Sequence, residues 1–162
     1  MKFSPEISYK HILVPVDFSE TSRRAFYRAV GYMRMFGSFL TVLHIRENAP
    51  AKTVEGVEQT HEALSRLEEG LVRRLDELES DGLVTKEERK RMTLEIGGGK
   101  PALEILRYAA GHDIDFIVMG THGTTGFKHI FMGSVCERVV RRAPCDVLAV
   151  KPEGYKSHID LD

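Results

Sequence analysis

Apolar positions come in two periods along this chain, and together they predict its elements. His11–Val16 is a short apolar run ending at Asp17, and Ser19-Glu20-Thr21-Ser22 follows it, which reads as a strand, a tight turn and a helix start with a capping hydroxyl. In that helix Ala25, Phe26, Ala29, Val30 and Met33 recur at helical spacing. Arg23, Arg24, Arg28 and Arg34 take the solvated remainder, and Gly37 stands where a left-handed cap belongs. Phe39–Ile45 is apolar at nearly every position and predicts a strand buried on both faces. Residues 46–57 are polar with Pro and Gly, a loop. Leu64, Leu67, Leu71, Leu75 and Leu78 then step by three and four along a long amphipathic helix that Gly82 ends. This stripe covers about two heptads, too few for an independent coiled coil, and predicts core packing.

Residues 83–91 mix both charge signs and read equally as a helical turn capped by Thr85 or as an exposed connection. Met92, Leu94 and Ile96 alternate with Thr93 and Glu95, as in a half-exposed edge strand, which Gly97-Gly98-Gly99 terminates. Pro101 suits the first turn of a helix carrying Ala102, Leu103, Leu106, Ala109 and Ala110 and closed by Gly111. Phe116–Met119 is a short buried strand. Ser134–Arg142 reads as a helix with Val135, Val139 and Val140 inside, and Asp146–Val150 as a last strand. Five strands alternating with four helices imply right-handed crossovers and a mostly parallel sheet with helices on both faces, a doubly wound α/β domain.

Composition narrows the function classes. The 162 residues suit one domain, expected over 1–152, with a polar tail at 153–162 that is either disordered or an arm onto a partner subunit. Twenty-three Lys and Arg against 24 Asp and Glu leave a formal charge of -1, which supplies no attraction to nucleic acid or anionic lipid. The apolar run Ile12–Val16 is far short of the ~20 residues that a membrane span needs. The N-terminus has no apolar core of a signal peptide, so the expected compartment is the cytoplasm, with Cys136 and Cys145 as free thiols.

Open α/β sheets bind ligands beyond the carboxyl ends of their strands, so the strand-to-helix loops carry the candidate chemistry. The richest is GTHGTTGFKHIFMGS, from Gly120 to Ser134. Glycines let backbone amides approach a ligand, and a helix start offers unpaired N–H donors and a partial positive charge, together a phosphate site; a flexible loop with Ser134 as a plain cap is the alternative. Gly99-Lys100 is not a P-loop, because Leu94 and Pro101 stand where that motif needs Gly and Ser or Thr. Neither a G-x-G-x-x-G after the first strand nor a G-x-S-x-G elbow is present.

Gly120-x2-Gly123-x9-Gly133-Ser134, preceded by Met119 and paired with the opening ILVPVDFSETS, resembles the universal stress protein family, in particular its ATP-binding branch, over residues 9–151. The resemblance implies a Rossmann-like sheet of the adenine nucleotide alpha hydrolase type, with strand order 3-2-1-4-5 and the first and fourth strands adjacent at the switch point. It implies ATP with Mg²⁺ or Mn²⁺ held through the phosphates. Backbone around Val16 and Ile45 would bracket the adenine, Pro15 would belong to the binding residues, and Asp17 would reach the ribose or a phosphate-bound metal. Gly120, His122 and Gly123 would line the phosphates, Gly133, Ser134, Val135 and Cys136 would close the site from the helix start, and Met119 would belong to the binding residues. It also makes the last strand a sheet edge, where a homodimer would pair.

Asp17 also has the simpler role of supporting the following helix start. Lys128 and His129 read as an exposed polar loop, or as phosphate contacts. His122 lacks a sequence-visible orienting carboxylate and reads as a binding or structural residue, and His44 as structural. The function expected is a cytoplasmic, nucleotide-dependent stress sensor or switch and no fast enzyme. The alternatives are a nucleotide-independent stress protein acting through protein contacts, and a slow ATPase. Nucleotidyl transferases and ATP pyrophosphatases of related folds carry HIGH or SGGxDS signatures, and this chain has neither.

Overall fold

The computed structural model describes residues 6–47, 54–122 and 132–155, with the backbone alone at 54–64 and 67. In chain order its elements are β1 (His11–Val16), α1 (Glu20–Phe36), β2 (Phe39–Arg46), α2 (Val54–Ser80), α3 (Lys86–Lys90), β3 (Met92–Gly98), α4 (Pro101–Gly111), β4 (Phe116–Gly120), α5 (Ser134–Arg142) and β5 (Asp146–Val150). The strands pair in parallel in the order β3-β2-β1-β4-β5, so the fold is the expected Rossmann-like sheet. Parallel neighbours need crossovers, and here the helices supply them.

Alternation along the strands divides the core into two layers. Ile12 and Val14 of β1, Leu40 and Val42 of β2, and Phe116 and Val118 of β4 pack on one face against α1 and the Leu75 and Leu78 positions of α2. Leu13, Leu43, Ile117 and Met119 pack on the other, against Ala102, Ile105 and Ala109 of α4 and Cys136 and Val139 of α5. Burying an aliphatic side chain of this kind stabilises by roughly 1.5–3 kcal/mol, so β1, with Ile12, Leu13 and Val14 all at 0% exposure, anchors both layers. Its carboxyl end therefore has a fixed position.

Several expectations change. The segment at 83–91 contains α3, closed by a reciprocal cap: Thr85 Oγ1 accepts from the Glu88 amide at 3.2 Å, and Glu88 Oε2 accepts from the Thr85 amide at 2.9 Å. The described residues thus hold five helices, where four were expected. Glu88 is buried, and Arg34 Nε donates to its Oε1 at 2.6 Å, so Arg34 is an ion-pair partner and not part of a merely solvated face. This guanidinium, helped by the Thr85 amide, holds the Glu88 carboxyl at a pKa of about 2. The long helix already begins at Val54, inside the segment read as a loop. Gly111 is the last residue of α4 and not its cap; Asp113, at φ 50°, makes the left-handed turn. Val140 is exposed, and Cys136 takes the inner position of α5 in its place. Gly37 does cap α1 at φ 70°, its amide donating to the Met33 carbonyl.

Candidate functional site

The carboxyl ends of β1, β2 and β4 and the starts of α4 and α5 surround one cavity of about 390 Å³. That is within the ~300–1,000 Å³ range of small-molecule sites. Its position follows from topology: crossovers from β1 leave toward β2 on one side and, after the chain returns, β4 lies on the other, so the loops part above β1.

At the β1 end, Asp17 is held by the turn it opens. Its Oδ1 accepts from the Ser19 amide at 3.0 Å and from Ser19 Oγ at 2.5 Å, while its own amide donates to Ser22 Oγ at 3.3 Å. Ser19 is the α1 N-cap, its Oγ accepting from the Ser22 amide at 3.2 Å. Between them Phe18 sits at φ 65°, a left-handed conformation that costs an L-residue ~1–2 kcal/mol, with its ring 60% exposed and 4.7 Å from the His44 ring. His44 Nδ1 donates to the Val16 carbonyl at 2.8 Å, which fixes the proton on Nδ1 because a carbonyl only accepts. His44 is thus structural as expected, though it also lines the cavity.

At the β4 end, Thr121 is 2% exposed and fully engaged. Its amide donates to the Val150 carbonyl at 2.9 Å, its carbonyl accepts from the Gly133 amide at 2.7 Å, and its Oγ1 shares a hydrogen with His122 Nδ1 at 2.8 Å. Thr21 Oγ1 donates to the His122 carbonyl, tying the first turn of α1 to the residue after the strand. Gly120 has a packing reason beside any ligand: a Cβ there would lie 3.0 Å from Thr21 backbone carbon and 3.1 Å from the Ser22 nitrogen. At the third edge, α5 starts on Gly133 without a side-chain cap hydrogen bond, so its first-turn amides are left for water or a ligand.

The cavity brings together Pro15, Val16, Asp17, Ile45, Met119, Gly120, His122, Gly133, Ser134, Val135 and Cys136, each of them singled out from sequence. Gly123, Lys128 and His129 lie outside the described residues, as do residues 156–162 of the tail. The sequence reading missed Ser22, Leu43, Arg46, Glu47, Pro101, Ile105 and Thr121, which also line it. The rule that ligands sit beyond strand ends, applied to β2 and to the α4 start, would have found Arg46, Glu47 and Pro101. Arg46 Nε is buried without a hydrogen-bond partner. Burial raises the Cys136 thiol to about 11, which keeps it neutral and a poor nucleophile at pH 7. No group of three or more His, Cys, Asp or Glu side chains among the described residues is arranged to hold a metal ion. Asp17 is the carboxylate of the β1 end of the cavity.

The family model "Universal stress protein family" matches residues 8–151. A universal stress protein of Methanocaldococcus jannaschii is 34% identical over 145 residues, 88% of this chain and 82% of that one. Among solved structures, universal stress protein UspA from Lactobacillus plantarum superposes with a TM-score of 0.73 at 28% identity, covering 90% of this chain and 99% of that one. A universal stress protein solved in complex with cAMP shares the fold at a TM-score of 0.56 and 20% identity, over 89% of this chain and 98% of that one. No helix among the described residues is long and apolar enough to cross a membrane.

Proposed function

The chain belongs to the universal stress protein family, and from that premise we propose that it binds ATP in the cavity above β1 and serves as a nucleotide-dependent stress sensor or switch in the cytoplasm. The observation that carries this reading is the joining, in one cavity, of the uncapped α5 start and the Asp17 carboxylate. Helix-start amides suit phosphate oxygens; Asp17 suits the donor groups of a ribose; Leu43, Ile45 and Ile105 give the β2 side an apolar wall for a base. The phosphates would lie along Gly120, His122, Gly123 and Gly133–Cys136, bringing Mg²⁺ or Mn²⁺ with them. That one protein of this fold was solved with cAMP makes the cyclic nucleotide the natural competitor to include.

The test is calorimetric titration of the purified protein with ATP, ADP, AMP and cAMP, each with Mg²⁺ and with chelator, beside mass spectrometry of nucleotide released on denaturation. Saturable ATP binding at micromolar concentration supports the reading. Absence of binding by every adenine nucleotide overturns it, and preference for cAMP replaces ATP with the cyclic ligand.

The same reading includes a homodimer through β5. That strand is an edge of the sheet, and an unpaired edge invites pairing with a second copy. Light scattering should report twice 18.3 kDa; a clean monomer ends this part of the proposal.

A further inference from the structure

The hydroxyls that link the cavity to α1 can be counted for hydrogens. Asp17 Oδ1, Ser19 Oγ, Thr21 Oγ1 and the His122 carbonyl form a chain of three contacts: 2.5 Å from Ser19 to Asp17, 3.1 Å from Ser19 to Thr21, and a short one from Thr21 to His122. An ionised carboxylate and a carbonyl only accept, and each hydroxyl has one hydrogen to give. Two hydrogens cannot serve three contacts. With Ser19 donating to Asp17 and Thr21 donating to His122, the contact between the two hydroxyls carries none. Ser19 also donates its amide to the same Oδ1, so both of its donors converge on one oxygen of Asp17. Among the described residues no hydrogen bond reaches the other oxygen, Oδ2, although Asp17 lines the cavity.

We infer that Ser19 is the positioning residue of this site: by fixing Oδ1 it sets the orientation of the Asp17 carboxylate and leaves Oδ2 as the acceptor offered to a ligand's hydroxyl or amino donors. This rests on the proposed nucleotide site for its ligand, but the positioning itself belongs to the ligand-free protein. Charge-assisted hydrogen bonds are the strong ones, so the Ser19 hydroxyl restricts the carboxylate more than its amide alone would. The uncommitted contact to Thr21 gives Ser19 a second place for its hydrogen. A ligand that draws Asp17 away from Ser19 lets that hydrogen pass to Thr21 Oγ1, which still donates to the His122 carbonyl at the entrance of the glycine segment.

Ser19→Gly isolates this role, because glycine is well tolerated as an N-cap whereas it removes the Oγ donor. Ser19→Thr restores both hydroxyl and cap. The first measurement is the pair of three-bond Hα–Hβ scalar couplings of Asp17 in nucleotide-free protein. Wild type and Ser19→Thr should show one large and one small coupling, or two small ones, as a single rotamer gives, and Ser19→Gly averaged values. The second is ATP affinity, expected about tenfold weaker in Ser19→Gly and restored within about twofold in Ser19→Thr, the size of one charge-assisted hydrogen bond. Unchanged Asp17 couplings in Ser19→Gly overturn the inference, as does unchanged affinity in a protein that binds ATP. If wild type binds no nucleotide the functional proposal falls, and the couplings still decide whether Ser19 orients Asp17.

Discussion

The Gly133 amide donates to the Thr121 carbonyl at 2.7 Å, so the glycine-rich segment leaves and re-enters the fold at adjacent points. Thr121 is itself bonded to Val150 of β5, and α5 begins immediately after Gly133. The framework on either side of the segment is therefore closed by the protein's own backbone hydrogen bonds. A ligand bound there would act on a scaffold already held in place, which would separate effects on affinity from effects on folding.

Gly133→Asp exploits that separation. Aspartate is a favourable N-cap and position 133 has an ordinary extended backbone, φ -69° and ψ 153°, so the fold should persist. Its carboxylate would occupy the anion site and repel phosphate. ATP affinity should fall at least a hundredfold with the melting temperature unchanged or slightly raised. Calorimetric titration and thermal unfolding of the same sample check both halves.

Gly120→Ala tests packing instead. The added Cβ meets backbone atoms of Thr21 and Ser22 at 3.0–3.1 Å, which only a shift of α1 relieves. Overpacking of this kind costs ~1–3 kcal/mol, and it should appear as a lower urea midpoint at unchanged slope, in the absence of any nucleotide.

Glu88 makes stability depend on acid. Its folded pKa, about 2, is below the ordinary glutamate value of 4.5, so its contribution is present above pH 4.5 and drains away as the pH falls toward 2. Glu88→Gln removes that contribution. The variant should be less stable than wild type at pH 7, and the gap should close between pH 4.5 and 2 in urea titrations across that range.

Turnover separates switch from catalyst. Efficient phosphoryl transfer needs an oriented water or base and cationic stabilisation of the transferred group. His122 lies in the cavity, with its Nδ1 engaged by Thr121 and its carbonyl by Thr21, so the residue is held in place at the cavity wall. Hydrolysis should run far below the ~1–100 per second of kinases. A single-turnover assay with protein in excess over labelled ATP and Mg²⁺ measures it, with Asp17→Ala and His122→Ala controlling for contaminating ATPase. Turnover within seconds that either substitution stops without weakening binding makes the site catalytic.

Strand positions and the sheet class were legible because burial on both faces leaves an unmixed apolar signal, as at His11–Val16 and Phe116–Gly120. Cap chemistry was equally local, so Ser19 and Gly37 could be read one residue at a time. What escaped was set by neighbours remote in sequence. Val140 follows Val139 directly, and α5 has room for one inward stripe, which passes through Cys136. Arg34 looks solvated until Glu88, 54 residues away, folds against it. Gly120 reads as a ligand glycine in its motif, whereas the packing of α1 already requires it. For the site, the glycine motif led to both ends of the segment, but nothing local marked Leu43 or Ile105, whose role depends on which strand ends the topology brings together.

The left-handed backbone at Phe18 sets which sequences this turn accepts. The aromatic ring is mostly in water and the conformation is one that β-branched residues resist, so the position is governed by backbone shape more than by side-chain contact. Glycine, asparagine and aspartate are the residues that adopt it readily, and valine, isoleucine and threonine those that strain it. Substitution at 18 therefore offers a way to stiffen or loosen the turn between the central strand and its helix, with the loss of the ring contact to His44 as its one side-chain effect on the cavity wall. Asp17 and Ser19, on either side, would register the change as a difference in how firmly the carboxylate is held.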